Sequence, residues 1–172
     1  TIKNEYPEFG EEFEVIHHTQ LIAELLRENR LEIKAAGGVI TYHDPCYLGR
    51  YNDIYKPPRQ ILNSIPGTEL VEMAEKKRRS FCCGGGGGRM WLEENIGSRI
   101  SELRIDQAVE TKAQTVATAC PFCLQMFDDA IKARGCEASI KAMDIAELVT
   151  EAIEAHIQPN PRCPSPAAPP SA

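Results

Sequence analysis

The chain has 172 residues, with 19 lysines and arginines against 25 aspartates and glutamates, a net charge of −6 and an ordinary 42% of hydrophobic residues. That length supports one domain with a real core plus a tail, and the acidic balance argues against nucleic acid as a partner. Seven cysteines are too few for a disulfide-built scaffold, where more than ~8% is usual, and an odd number would leave one thiol over.

In chain order, residues 1–12 are polar, with a turn signal at Pro7–Gly10. Phe13 to His18 reads as a short strand or an extended entry. Thr19 reads as the cap of a helix that carries Leu21, Ile22, Leu25 and Leu26 at helical spacing to about Asn29. Gly38 to Tyr42 is a β-branched run, so a buried strand, and it stops at His43-Asp44-Pro45-Cys46 because Pro45 has no N–H for a ladder. Pro57–Pro58 can open a second helix. Glu69 to Met73 alternates with period two and reads as a strand. Lys76 to Arg79 is a basic run, and Phe81-Cys82-Cys83 then meets five glycines, Gly84 to Gly88. From about Met90 to Glu110 the pattern is helical, with Trp91, Ile96, Ile100, Leu103, Ile105 and Val109 as its apolar positions. Thr115 to Ala119 is a further strand, followed by Cys120-Pro121-Phe122-Cys123 and a helix from Leu124 to Ala133 that Gly135 stops. Ser139 to Met143 is a last strand, and Asp144 caps a helix to about His156. Residues 158–172 are Pro-rich and read as a disordered tail.

Strands and helices alternate with short connections. This predicts an α/β fold: a single Rossmann-like layered domain over residues 1–157 with a mostly parallel sheet. Ligands in such sheets gather outside the carboxyl ends of the strands. Cys46, Cys82–Cys83 and Cys120–Cys123 all fall in loops at that edge, so three loops can converge there. Cys136 follows a helix and Cys163 lies in the tail, so both read as bystanders.

The pattern has 35 residues between Cys46 and Cys82 and 36 between Cys83 and Cys120. Five thiolates select soft metals: iron–sulfur clusters, zinc or Cu(I). The glycine run favours the first. Gly84, Gly85 and Gly86 let the backbone approach a bulky anion, and their N–H groups can stabilise sulfide or thiolate. The CPFC pair opens a helix, where the dipole favours thiolate. A zinc-stabilised interaction domain is one alternative, although four ligands complete such a site. A CPFC thiol–disulfide oxidoreductase is another, since strand–CxxC–helix is also a redox-motif geometry. His43 and Asp44 adjoin Cys46. They are candidates for hydrogen bonds to a ligand or for proton donation, or for a loop-fixing Asx turn before Pro45. His17–His18 reads as packing, and the basic run as a solvated segment.

HDPC at 43–46, CCGGGGG at 82–88 and ACPFC at 119–123, in this order and spacing, resemble the CCG (cysteine-rich) domain family. That family includes the catalytic subunit of heterodisulfide reductase and the iron–sulfur subunits of glycolate oxidase. The segments TYHDPCYLGRYN and SFCCGGGGGRMW look closest to the long bacterial iron–sulfur oxidoreductases. The resemblance implies Cys46, Cys82, Cys83, Cys120 and Cys123 as metal ligands of a [4Fe–4S] cluster, of cubane or non-cubane form. It also implies electron transfer, with disulfide-reductase chemistry as a family activity. The implied partners are a redox protein or further Fe–S or flavin domains, with an electron-transfer flavoprotein or a quinone pathway as neighbours. Family members usually carry a second such domain or ferredoxin motifs, and this chain opens on Thr1 rather than Met, so it reads as the C-terminal part of a longer protein. No apolar run reaches the ~18 residues of a membrane span, and no signal peptide is visible. The expected location is the cytoplasm, or the cytoplasmic face of a membrane if a preceding part supplies an anchor.

Overall fold

Four short strands form one parallel sheet: β1 (Val39–Tyr42), β2 (Glu69–Val71), β3 (Thr115–Thr118) and β4 (Lys141–Asp144), in the order β2-β1-β3-β4. The computed structural model describes residues 2–34, 37–92 and 97–154. Ile96, His156, Cys163 and the Pro-rich tail lie outside the described residues. Every residue of β3 is buried, as expected for an inner strand covered on both faces.

Five helices supply those covers: α1 (His18–Arg27), α2 (Lys56–Ser64), α3 (Ile100–Glu110), α4 (Pro121–Arg134) and α5 (Ile145–Glu154). Strand side chains alternate between the faces. Ile40, Tyr42 and Ala117 pack with Ile61 and Leu62 of α2, Leu148 and Val149 of α5, and Ile22 and Leu26 of α1. Val116, on the other face, packs with Ile105 of α3 and with Met126, Phe127 and Ile131 of α4. Each fully buried apolar side chain of this kind contributes about 1.5–3 kcal/mol. The sheet is thus doubly wound, as the α/β reading of the sequence expected. The chain leaves β1 toward β2 on one side and later returns to add β3 on the other. The direction of winding therefore switches between β1 and β3, where crevices form in such sheets.

Three local expectations are corrected. His17, not Thr19, is the N-cap of α1. Its Nδ1 accepts the Thr19 N–H at 3.3 Å, while the Gln20 Oε1 accepts the His17 N–H at 3.0 Å. Together these form a reciprocal capping box. The helix expected from Met90 begins only at Ile100. A 3-10 turn over Gly86–Trp91 precedes it, with left-handed backbone at Gly87 and Gly88 and again at Gly97. Trp91 is consequently exposed, as are Leu103 and Val109. The CPFC helix starts three residues earlier than expected, because Pro121 occupies its first turn, where a missing N–H costs nothing. Cys123 therefore sits inside the helix and Cys120 caps it.

Candidate metal centre

The site grows from the ends of β1 and β3. Past the last residue of β1, the His43 N–H still donates to the Ala117 carbonyl at 2.9 Å. Pro45 then turns the chain away and delivers Cys46 to the sheet edge. Asp44 fixes this turn over long range. Its Oδ1 accepts from Arg59 Nη1 at 2.7 Å, and its Oδ2 from Arg59 Nη2 at 2.9 Å and from the Lys77 N–H at 2.7 Å. Arg59 also bonds Glu72 at 2.7 and 3.0 Å. The HDPC loop is thereby tied to α2 and to the segment after β2. With both oxygens engaged, Asp44 serves as a tether. Arg50 makes a second tie, donating to the backbone carbonyls of Arg78, at 3.3 Å, and Ser80.

The second loop brings Cys82, exposed, and Cys83, buried. The Gly84 N–H donates to Cys82 Sγ at 3.3 Å and the Gly85 N–H to Cys83 Sγ at 3.5 Å. Gly84 has φ +83° and Gly85 leaves no room for a Cβ, which would meet Met126 Cγ at 2.9 Å. Gly86 is exposed, and a Cβ there would meet nothing within 4 Å. The third loop places Cys120 and buried Cys123 at the start of α4.

Convergence is direct for three residues: ligand atoms of His43, Cys83 and Cys123 all lie within 4.8 Å of one another. Cys46, Cys82 and Cys83 line one narrow cleft with His43, Asp44 and Arg50. The thiols influence one another strongly. Cys83 is pulled down to about 4, chiefly by a hydrogen bond from Cys123 and then by His43 and the Gly85 N–H, against burial. Cys120 is pulled down to about 6 by Cys123. Cys123 is held as the thiol between these two thiolates, so its pKa is raised. Burial and the neighbouring Cys83 raise Cys46.

His43 is buried, with its ring edge-on to Phe127 at 4.8 Å. It hydrogen-bonds Cys83, and burial lowers its pKa, with the Arg104 charge acting in the same direction. Arg104 is wholly buried. Its Nε donates to His43 Nδ1 at 3.2 Å, its Nη1 to Gln107 Oε1 at 2.6 Å and its Nη2 to Ser80 Oγ at 3.3 Å. Sequence reasoning missed Arg104, Arg59 and Arg50. A signal for Arg104 existed, since Ser101, Arg104, Ile105 and Ala108 form the buried stripe of α3 at helical spacing.

The remaining candidates lie apart from this cluster. His17 caps α1 and hydrogen-bonds the backbone of Ala119, while His18 Nε2 stands 3.6 Å from Asp144 Oδ1. Cys136 is partly buried, with its Sγ on the Ile131 carbonyl at 3.6 Å. Lys77–Arg79 form an exposed 3-10 turn.

The residues fit an iron–sulfur group. Sulfur donors come from three loops, backbone N–H groups are aimed at two of the sulfurs, and the crowded Gly84–Gly85 pair gives the backbone its close approach.

Comparison with known proteins agrees with this chemistry. The family model described as "Cysteine-rich domain" (CCG) matches residues 40–128. The chain is 46% identical over 152 residues to "Probable iron-sulfur-binding oxidoreductase FadF" of Bacillus subtilis, covering 88% of this chain and 22% of that protein. It is 42% identical to the EtfAB:quinone oxidoreductase of Syntrophomonas wolfei, covering 89% and 22%. It is 40% identical to one subunit of the dihydromethanophenazine:CoB–CoM heterodisulfide reductase of Methanosarcina barkeri, covering 82% and 34%. The chain thus spans about a fifth to a third of the length of these relatives. Among the described residues, no helix is long and apolar enough to cross a membrane.

Proposed function

Because this chain belongs to the cysteine-rich CCG domain family, we propose that it is the cluster-binding module of an iron–sulfur oxidoreductase. In this function Cys46, Cys82, Cys83, Cys120 and Cys123 hold a [4Fe–4S]-type cluster, cradled by Gly84, Gly85 and Gly86. Residues 1–157 are the cluster unit and 158–172 a tail. The observation that carries this function is the meeting of Cys83, Cys123 and His43 within 4.8 Å from three loops at the switch point of the sheet.

When bound, such a group supplies one-electron storage. The protein's part is to hold the sulfurs, to donate N–H groups to them, and to keep positive charge near them. The favoured role is electron relay to a partner redox protein, since the similar proteins include an EtfAB:quinone oxidoreductase. The heterodisulfide reductase among them makes disulfide reduction the second activity to assay. Thiolates that must stay reduced suit the cytoplasm, including the cytoplasmic face of a membrane.

A CPFC thiol oxidoreductase has one observation in its favour, the lowered pKa of Cys120 at the N-terminus of α4. That function leaves Cys46, Cys82 and Cys83 without a task. The deciding experiment is an anaerobic preparation assayed for iron, zinc and acid-labile sulfide per chain, with visible and paramagnetic spectra. Iron and sulfide together are expected. Zinc alone, or an active metal-free dithiol, would overturn the cluster assignment.

A further inference from the structure

Arg104 is a charged side chain in a place where charge is expensive. Its guanidinium is 0% exposed, and among the described residues no carboxylate lies within ion-pair distance of it. Its three acceptors are neutral: His43 Nδ1, Gln107 Oε1 and Ser80 Oγ. Asp44 is already taken by Arg59 and the Lys77 N–H. Glu75 and then Asp44 act on this charge only through space, so it is buried without a carboxylate in direct contact, an arrangement that is costly unless the surroundings offset it.

The contact with His43 also fixes a proton. A guanidinium N–H can only donate, so Nδ1 must be the bare nitrogen of a neutral ring. The ring proton then sits on Nε2. Nδ1 is occupied by Arg104, so the Nε2–H is the group left to hydrogen-bond Cys83. This polarity is the reverse of a metal-binding histidine, whose second nitrogen donates outward to a carboxylate or carbonyl. Here that second nitrogen faces a donor. His43 therefore cannot serve as a neutral imidazole ligand, although its ring lies with Cys83 and Cys123.

We propose that Arg104 is a positioning residue of the metal centre: it locks His43 as an Nε2–H donor to the Cys83 sulfur and stands behind the site as a buried counter-charge. The pair Arg104–His43 thus stabilises the more negative, reduced state of the site, because hydrogen bonds and positive charge near cluster sulfurs raise the reduction potential. The effect on potential rests on the iron–sulfur function given above; the tautomer does not.

The test has two arms. Spectra of the protein as isolated, carrying 15N-labelled histidine, read the tautomer directly. A bare Nδ1 with a protonated Nε2 is expected for His43, and a proton on Nδ1 overturns the proposal. The second arm is redox titration of wild type, Arg104→Gln, Arg104→Lys and Arg104→Gln in a His43→Gln background. Arg104→Gln should shift the reduced-to-oxidised ratio at a fixed potential about tenfold toward oxidised, ~59 mV for a one-electron couple. Arg104→Lys should recover part of that shift, and the His43→Gln background should diminish it. A loaded Arg104→Gln protein with the wild-type potential overturns the counter-charge. If Arg104→Gln does not fold, the wild-type tautomer decides. If wild type holds no iron and sulfide, the cluster assignment fails while the tautomer still tests this inference.

Discussion

Arg59 closes a two-pronged fork on Asp44, Nη1 to Oδ1 at 2.7 Å and Nη2 to Oδ2 at 2.9 Å, with both side chains largely buried. The fork holds the loop that carries Cys46, although Arg59 touches no cysteine. Removing one partner of a buried pair leaves the other charge unsatisfied and costs about 3–5 kcal/mol. Arg59→Met should lower unfolding stability by roughly that amount and reduce iron retention with it. Denaturant unfolding measures the first, and a loss below about 1 kcal/mol would show that the fork is not the tether.

The glycine run should divide sharply under alanine substitution. At Gly84 the backbone is left-handed, φ +83°, and a Cβ would stand 3.2 Å from Ile100 Cβ. The conformation alone costs about 1–2 kcal/mol. At Gly85 a Cβ would press on Met126 and approach Cys83 Sγ at 3.7 Å. Gly84→Ala and Gly85→Ala are expected to lose stability and cluster content, whereas Gly86→Ala, in open space, should change stability by less than about 0.5 kcal/mol. Iron and sulfide assays beside thermal melts distinguish the three. Equal stability losses at 85 and 86 would contradict the crowding of Gly85 against Met126.

His17 predicts a pH dependence. Burial, and then the charge of His18, lower its folded pKa from 6.5 to about 4. Between those values the unfolded chain binds more protons, so stability rises with pH. The contribution of the neutral ring is complete above about 6.5 and is lost as pH falls through that window toward 4. Protonation also removes the Nδ1 acceptor that caps α1. The ring is only half buried, so solvent screening reduces the expected loss to about 1 kcal/mol. Asn caps helices without titrating here. The urea midpoint of wild type should therefore fall relative to His17→Asn between pH 7 and pH 5, and parallel pH profiles would count against this assignment.

Cys136 sits at the margin of the α3–α4 core, with its thiol on the Ile131 carbonyl. Cys136→Ala should leave iron and sulfide per chain unchanged and cost less than about 1 kcal/mol. Loss of cluster in this variant would make it a ligand and displace one of the five.

Much of this centre was legible because its chemistry is local in sequence. Cysteines mark themselves, Pro45 marks the end of a strand, and Pro121 marks the start of a helix. The α/β layering followed from the alternation of Val39–Tyr42 and Thr115–Thr118 with helical stretches. What stayed hidden was long-range and polar. Asp44 could have formed a local turn, and only the fold brings it to Arg59 and Lys77. Arg104 is hidden by its residue type. Apolar Leu103 and Val109 are exposed, while the buried stripe of α3 runs through Ser101, Arg104, Ile105 and Ala108, with an arginine where an apolar side chain is expected. The His17 cap was missed for a related reason: histidine is an uncommon cap, and Thr19 beside it is a common one.

The pairing of β1 with β3 joins Ile40 to Thr115 and Tyr42 to Ala117, with all of α2, β2 and α3 between them in the chain. Contacts so distant in sequence form late, since the closure of the intervening chain must come first. The HDPC and CPFC loops hang from these two strands, so they become neighbours only when the centre of the sheet has closed. The sulfurs of the candidate centre are thus brought together by the closure of β1 on β3, over a long stretch of chain, and by no local turn.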